Sequence, residues 1–224
     1  MTSGTIDRHS LLALCVAAAT VVATFFASPA GAVDSETRTT EPFHAVTFSG
    51  SWTVDVKVGG EQSVVIEGKK DLIDKVKTEV VDGELRIGLD SDLLSFFAHH
   101  DLDGLTARVT VPALTAFTLN GSGKADIGGL AGGTTKFMLD GSGDIKAKGK
   151  LDTVNLVVNG SGTANLSALE AAKASAMVNG SGDAMVDPRE TLAATVNGSG
   201  QVTYAREDIK VTSVIHGSGM IEKK

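Results

Sequence analysis

A corner motif that returns at near-constant spacing constrains this chain more than anything else in it. Asn120-Gly121-Ser122-Gly123, Asp140-Gly141-Ser142-Gly143, Asn159-Gly160-Ser161-Gly162, Asn179-Gly180-Ser181-Gly182, Asn197-Gly198-Ser199-Gly200 and His216-Gly217-Ser218-Gly219 start 20, 19, 20, 18 and 19 residues apart. A fixed period of this length marks a chain built from stacked copies of one supersecondary unit. Before each corner stand Leu119, Leu139, Val158, Val178, Val196 and Ile215, and two residues earlier Phe117, Phe137, Leu156, Ala176, Ala194 and Ser213. After it come Ala125, Ile145, Ala164, Ala184, Val202 and Ile221, then Ile127, Ala147, Leu166, Val186, Tyr204 and Lys223. Alternate positions are mainly apolar, which is the period of a strand with one buried face. Each unit therefore reads as strand, glycine corner, strand, and a looser return carrying Leu130, Leu151, Leu169 or Leu192.

One narrow strand pair is marginally stable alone, so the copies must stack, with equivalent positions above one another. The expectation is an all-β fold: a parallel β-solenoid, or β-helix, of about six short rungs over 113–224. At about 4.8 Å per strand the column is roughly 25 Å tall. Glycine suits the corner because it accepts positive φ, and the residue before it (Asn120, Asp140, Asn159, Asn179, Asn197 or His216) can form a stacked ladder. Beyond Phe137 the sequence holds one aromatic residue, Tyr204, so the core fits a thin solenoid better than a sandwich. The stretch Leu166 to Met177 has helix-favouring composition, but a helix there would break the rung register.

The preceding segment, 43–112, is β-rich and less regular. Trp52 to Val58 alternates strictly, Gly59-Gly60 follows, and Ser63 to Glu67 alternates again, which predicts a hairpin. Asp71 to Lys77 has a short helical rhythm; Glu79-Val80-Val81, Asp82-Gly83 and Glu84 to Ile87 predict a second hairpin. Residues 33–42 are polar and read as a flexible tether. Residues 1–32 read as a signal peptide: Arg8, an apolar run from Leu11 to Ala27, and Ala30-Gly31-Ala32 ahead of cleavage. Leu14 before Cys15 does not suit a lipoprotein signal. Cleavage removes Cys15, the single cysteine, so disulfides and thiol chemistry are excluded from the mature chain. The formal charge of −7 argues against nucleic acid or anionic lipid as partner. The mature chain is expected to be exported and not membrane-spanning, in the periplasm, on the surface or outside the cell.

Phe48-Ser49-Gly50-Ser51 with Val54-Asp55-Val56, the Leu85-Arg86-Ile87 strand, the step Val109 to Leu114 and the serial Gly-Ser-Gly corners together resemble the auto-transporter adhesin head GIN domain family, over about Phe43 to Glu222. The resemblance implies an exported β-repeat domain and brings no functional residues with it.

No catalytic, cofactor or metal set emerges from the residues. Calcium-binding solenoids need a recurring carboxylate after the glycines, where this chain has Lys124, Asp144, Thr163, Asp183, Gln201 and Met220. A polysaccharide lyase needs clustered acids and a base; the row Asp126, Lys146, Asn165, Glu222 is mixed and interrupted by Met185 and Thr203. The stretch 90–103 fits no repeat. Its Leu93, Leu94, Phe96, Phe97, His99 and His100 are candidates for partner docking, set against an end cap, which the bulky apolar residues favour, and a weak metal site, which adjacent histidines disfavour. Trp52 is a candidate platform for a sugar, set against a core role. The expected function is a non-enzymatic, adhesin-like module binding a glycan or protein at the cell envelope. The alternatives are a periplasmic structural or envelope-homeostasis protein that self-associates as a homo-oligomer and, less favoured, an enzyme acting on extracellular polysaccharide.

Overall fold

The computed structural model describes residues 33–89, 102 and 104–224. The signal segment expected over 1–32, and the candidates Leu93, Leu94, Phe96, Phe97, His99 and His100, lie outside the described residues. In chain order the elements are β1 (Asp34–Arg38), β2 (Ala45–Ser49), β3 (Thr53–Val58), β4 (Ser63–Gly68), α1 (Lys70–Ile73), β5 (Val76–Val81), β6 (Glu84–Leu89) and β7 (Thr106–Val111). The repeat follows as β8 (Ala116–Gly121), β9 (Lys124–Ala131), β10 (Thr134–Gly141), β11 (Asp144–Gly160), β12 (Thr163–Gly180), β13 (Asp183–Gly198), β14 (Gln201–Tyr204), β15 (Lys210–Gly217) and β16 (Met220–Lys223).

The chain is all-β and the repeat is a parallel solenoid. Its six corners are joined by five turns of coil, and they stack in register: Asn120↔Asp140↔Asn159↔Asn179↔Asn197↔His216. Val158, Val178 and Val196 are all buried, as are Ala164, Ala184 and Val202 across the corner. The helix-favouring stretch is part of β12, because pairing with β11 and β13 on both sides satisfies its backbone more fully than an isolated helix could. The four return leucines are buried, each contributing roughly 1.5–3 kcal/mol.

Close stacking explains the corner sequence. The N–H groups of Ser142 and Gly143 both donate to the Gly121 carbonyl at 3.1 Å, and those of Ser161 and Gly162 to the Gly141 carbonyl at 3.0 and 3.1 Å. The first glycine of each corner has positive φ, 121° at Gly160, and a Cβ there would sit 2.4 Å from the carbonyl oxygen of Gly141 below. The asparagines form the ladder: Asn197 donates to Asn179 (2.8 Å), Asn179 to Asn159 (2.8 Å) and Asn159 to the Asp140 carboxylate (2.5 Å). Asp140 ends the run because a carboxylate can only accept. His216 holds the next position but makes no side-chain hydrogen bond among the described residues.

The N-terminal half continues both faces of the solenoid across the boundary expected at Pro112. On one face β2 pairs in parallel with β8 and β6, and on the other β3 pairs in parallel with β9 and β7. Ser49-Gly50-Ser51 is thus an additional corner: the Gly50 N–H donates to the Asn120 carbonyl, and its own carbonyl accepts from Gly123, both at 2.9 Å. Antiparallel strands then end each face. The Asp82-Gly83 hairpin forms as expected, with φ of 52° and 75° at its corner.

Two expectations are corrected. Strands β3 and β4 do not form a hairpin with each other; β7 lies between them, parallel to β3 and antiparallel to β4. The Gly59-Gly60 link therefore leads past an intervening strand. Residues 33–42 are not a free tether, since Asp34–Arg38 pairs antiparallel with β4. Arg38 fixes this strand by donating to the Ile73 carbonyl (2.9 Å) and pairing with Glu36 (3.0 Å).

Candidate functional site

Strands stacked in register turn single residues into rows. On the outer face of β7, β3, β9, β11, β12, β13, β14 and β16, one row runs Arg108, Asp55, Asp126, Lys146, Asn165, Met185, Thr203, Glu222. The mixed row expected from Asp126 to Glu222 is therefore present, and it extends to Asp55 and Arg108, which the sequence does not bring near it. Two residues further along the strands stand Thr110, Lys57 and Gly128.

These two rows line a groove of about 580 Å³ bounded by Asp55, Lys57, Arg108, Thr110, Asp126, Gly128, Gly129 and Lys148. A smaller depression of about 200 Å³ shares Asp126 and Lys148 with it and continues over Lys146, Asn165 and Ser167. The groove exists because Gly128 and Gly129 carry no side chains where neighbouring strands carry lysines. Two residues, Gly128 and Gly129, face the single Lys148 where the β9–β11 register shifts. Such a bulge re-aims a side chain, and here the Lys148 stem leans over Gly128: a Cβ at 128 would lie 3.0 Å from its Cε.

The charges divide sharply between paired and unpaired. Arg108 Nε donates to Glu67 at 2.8 Å, and its Nη1 lies 3.5 Å from Asp55. The Glu67 hydrogen bond, then the Glu67 charge and finally Asp55, outweigh the opposing effect of burial and raise the guanidinium above its ordinary value. It remains a fixed cation. Asp126, beside Asp55 in the row, has no ion-pair or hydrogen-bond partner among the described residues, and neither do Lys57, Lys146 and Lys148. The two carboxylates, Asp55 and Asp126, thus stand in a row between Arg108 and Lys146, while Lys57 and Lys148 bring two further ammonium groups beside them, and no aromatic residue lines the groove. Among the described residues no three His, Cys, Asp or Glu side chains gather to hold a metal.

The sugar-platform role considered for Trp52 is corrected. Trp52 is only 3% exposed and packs edge-on against Phe48 with centroids 4.6 Å apart, so neither ring face is offered to a ligand. Its Nε1 is buried without a partner among the described residues. Asn120, Asp140, Asn159, Asn179 and Asn197 are structural corner residues, and they do not meet the groove.

No helix among the described residues is long and apolar enough to cross a membrane. The chain is similar in fold to a "putative adhesin" from Bacteroides fragilis, at 18% identity and a TM-score of 0.69, covering 88% of this chain and 99% of that one. It is also similar to a "putative lipid binding protein" from Parabacteroides distasonis, at 21% identity and a TM-score of 0.54, covering 87% and 98%. A "putative adhesin" from Parabacteroides merdae aligns at 18% identity and a TM-score of 0.50, covering 87% and 97%. No curated protein matches this sequence. The family model described as "Putative auto-transporter adhesin, head GIN domain" matches residues 42–207, and with its corner motif, stacked register and fold accounted for, the chain belongs to that family.

Proposed function

We propose that the protein is an exported, non-enzymatic, adhesin-like module that holds a glycan or protein of the cell envelope in the groove over β7, β3, β9, β11 and β12. One observation carries this reading: a groove of about 580 Å³ on parallel strands, where Lys57, Asp126 and Lys148 have no ion-pair partner among the described residues. Desolvating a lone charge is costly, so surfaces that keep several unpaired charges around one concavity suit a ligand that completes them. Its strands are locked by neighbours on both sides, so the site is preformed and little ordering is required on binding. Family membership supports the adhesin-like role.

The test is capture from envelope extracts by purified 33–224. The charge reversals Asp126→Lys and Lys148→Glu, both at exposed positions, should abolish retention while leaving the β-rich circular dichroism spectrum intact. Retention that survives both reversals would remove the groove from the mechanism. A second reading, self-association, is favoured by the terminal rung, where Val214 (43%), Ile215 (45%) and Met220 (54%) are exposed.

A further inference from the structure

The groove is divided by charge in a way that selects the chemistry of its ligand, on the reading that the groove is the binding site. Asp55 and Asp126 stand side by side on β3 and β9. Carboxylates only accept hydrogen bonds, so this side calls for a donor that is not itself an anion. About 7 Å away, two residues along the strands, lie Lys57 and the Gly128 gap. Lys148 leans across that gap from β11 toward β3. Two ammonium groups thus approach one concavity with no acidic partner among the described residues. Each donates only, and together they call for an anion. Arg108 does not supply a competing site, since Glu67 and Asp55 already hold it.

We infer that the ligand is an acidic sugar chain, with ring hydroxyls donating to Asp126 and Asp55 and an anionic substituent of the same residue seated over Gly128 between Lys57 and Lys148. A neutral glycan would satisfy the carboxylates and leave both ammonium groups without an anion. A bare polyanion would satisfy the ammonium groups and press charge against Asp126. A sugar acid carries hydroxyl donors and an anion on opposite sides of one ring, which is the arrangement the groove complements. The continuation over Lys146, Asn165 and Ser167 extends the groove along the solenoid axis, across five strands spaced about 4.8 Å apart, so successive sugar units can meet successive strands.

Calorimetric titration of 33–224 with three probes tests this: an oligogalacturonate, a neutral cello-oligosaccharide of the same length, and inorganic polyphosphate. The oligogalacturonate should bind, more weakly as salt rises, and the other two should bind at least about tenfold less tightly. The double variant Lys57→Ala, Lys148→Ala should lose about tenfold in oligogalacturonate affinity, as two exposed charge contacts would supply. Asp126→Ala should act with opposite signs, weakening oligogalacturonate and strengthening polyphosphate. The inference is overturned by equal affinity for the neutral chain, by polyphosphate binding as tightly as the uronate, by an unaffected lysine variant, or by no binding of the oligogalacturonate at all. If any of these occurs while envelope capture still depends on Asp126 and Lys148, the groove remains the site and only its ligand class is wrong. If capture is also indifferent to them, the groove reading fails with it.

Discussion

At the corner, the backbone of one rung occupies the volume that a side chain on the next would need. Gly160 combines a φ of 121° with a Cβ position 2.4 Å from the Gly141 carbonyl oxygen, whereas Gly132, with φ of 70°, has nothing within 4 Å of its Cβ position. Gly160→Ala must therefore both strain the backbone and push two rungs apart, a combined loss of about 2–4 kcal/mol. Gly132→Ala bears the conformational cost alone, roughly 1–2 kcal/mol. Urea denaturation of the two variants separates the contributions, and equal losses would show that stacking does not restrict the corner. Trp52 presents the reverse case. Its indole N–H is buried without a partner, a state that ordinarily costs about 1–3 kcal/mol, while its ring fills space against Phe48. Trp52→Phe removes the orphan donor and loses part of the ring, so the two effects offset. Stability within about 1 kcal/mol of the parent is expected, and a much larger loss would mean that packing of the full indole dominates.

Among the elements, the stacked strands of the repeat are legible in the sequence because the corner fixes their register as well as their existence. Alternation in 52–58 identifies a strand with one buried face, but period two says nothing about which strand lies beside it. That is why β3 and β4 read as a hairpin although β7 separates them. The same limit hides the groove: Asp55 and Lys57 are readable as outward-facing, yet Arg108, Asp126 and Lys148 join them only through parallel pairing. Gly128-Gly129 forms a bulge that opens the floor, where the β9–β11 register shifts. Strand β1 left no apolar trace, since Asp-Ser-Glu-Thr-Arg is held by backbone pairing with β4 and by the bonds of Arg38. Deleting 33–38 should therefore expose the β4 edge and speed amide exchange in 63–68, leaving exchange in the β11–β13 stack unchanged. Hydrogen-exchange mass spectrometry reads both segments, and acceleration throughout would show that β1 supports the whole column instead of one edge.

For the whole molecule, the two ends of the column are finished differently. At the N-terminal end antiparallel strands close both faces, and the core beneath Phe48 and Phe117 is fully buried. At the other end, among the described residues, β15 pairs only with β13 and β16 only with β14, leaving one edge of each without a described strand. Ile215, which continues the inward row of Val178 and Val196, is 45% exposed there. An uncovered parallel edge over an apolar core is a template for another chain, and charge is a common means of discouraging it. Glu222, Lys223 and Lys224 are exposed at this edge, with Lys223 paired to Glu207 and Gln201 donating to Glu222 at 2.5 Å. A second copy approaching the edge would have to desolvate these groups. Replacing all three with threonine keeps the length of the strand and its β-forming character while removing that barrier. Sedimentation velocity should then show concentration-dependent association in the variant of 33–224 and a small, dilution-insensitive species in the parent. A parent already assembled through β15 and β16 and resistant to dilution would reverse the argument: the exposed rung would be an interface, the charges would be part of its pairing, and self-association would displace the groove as the basis of function.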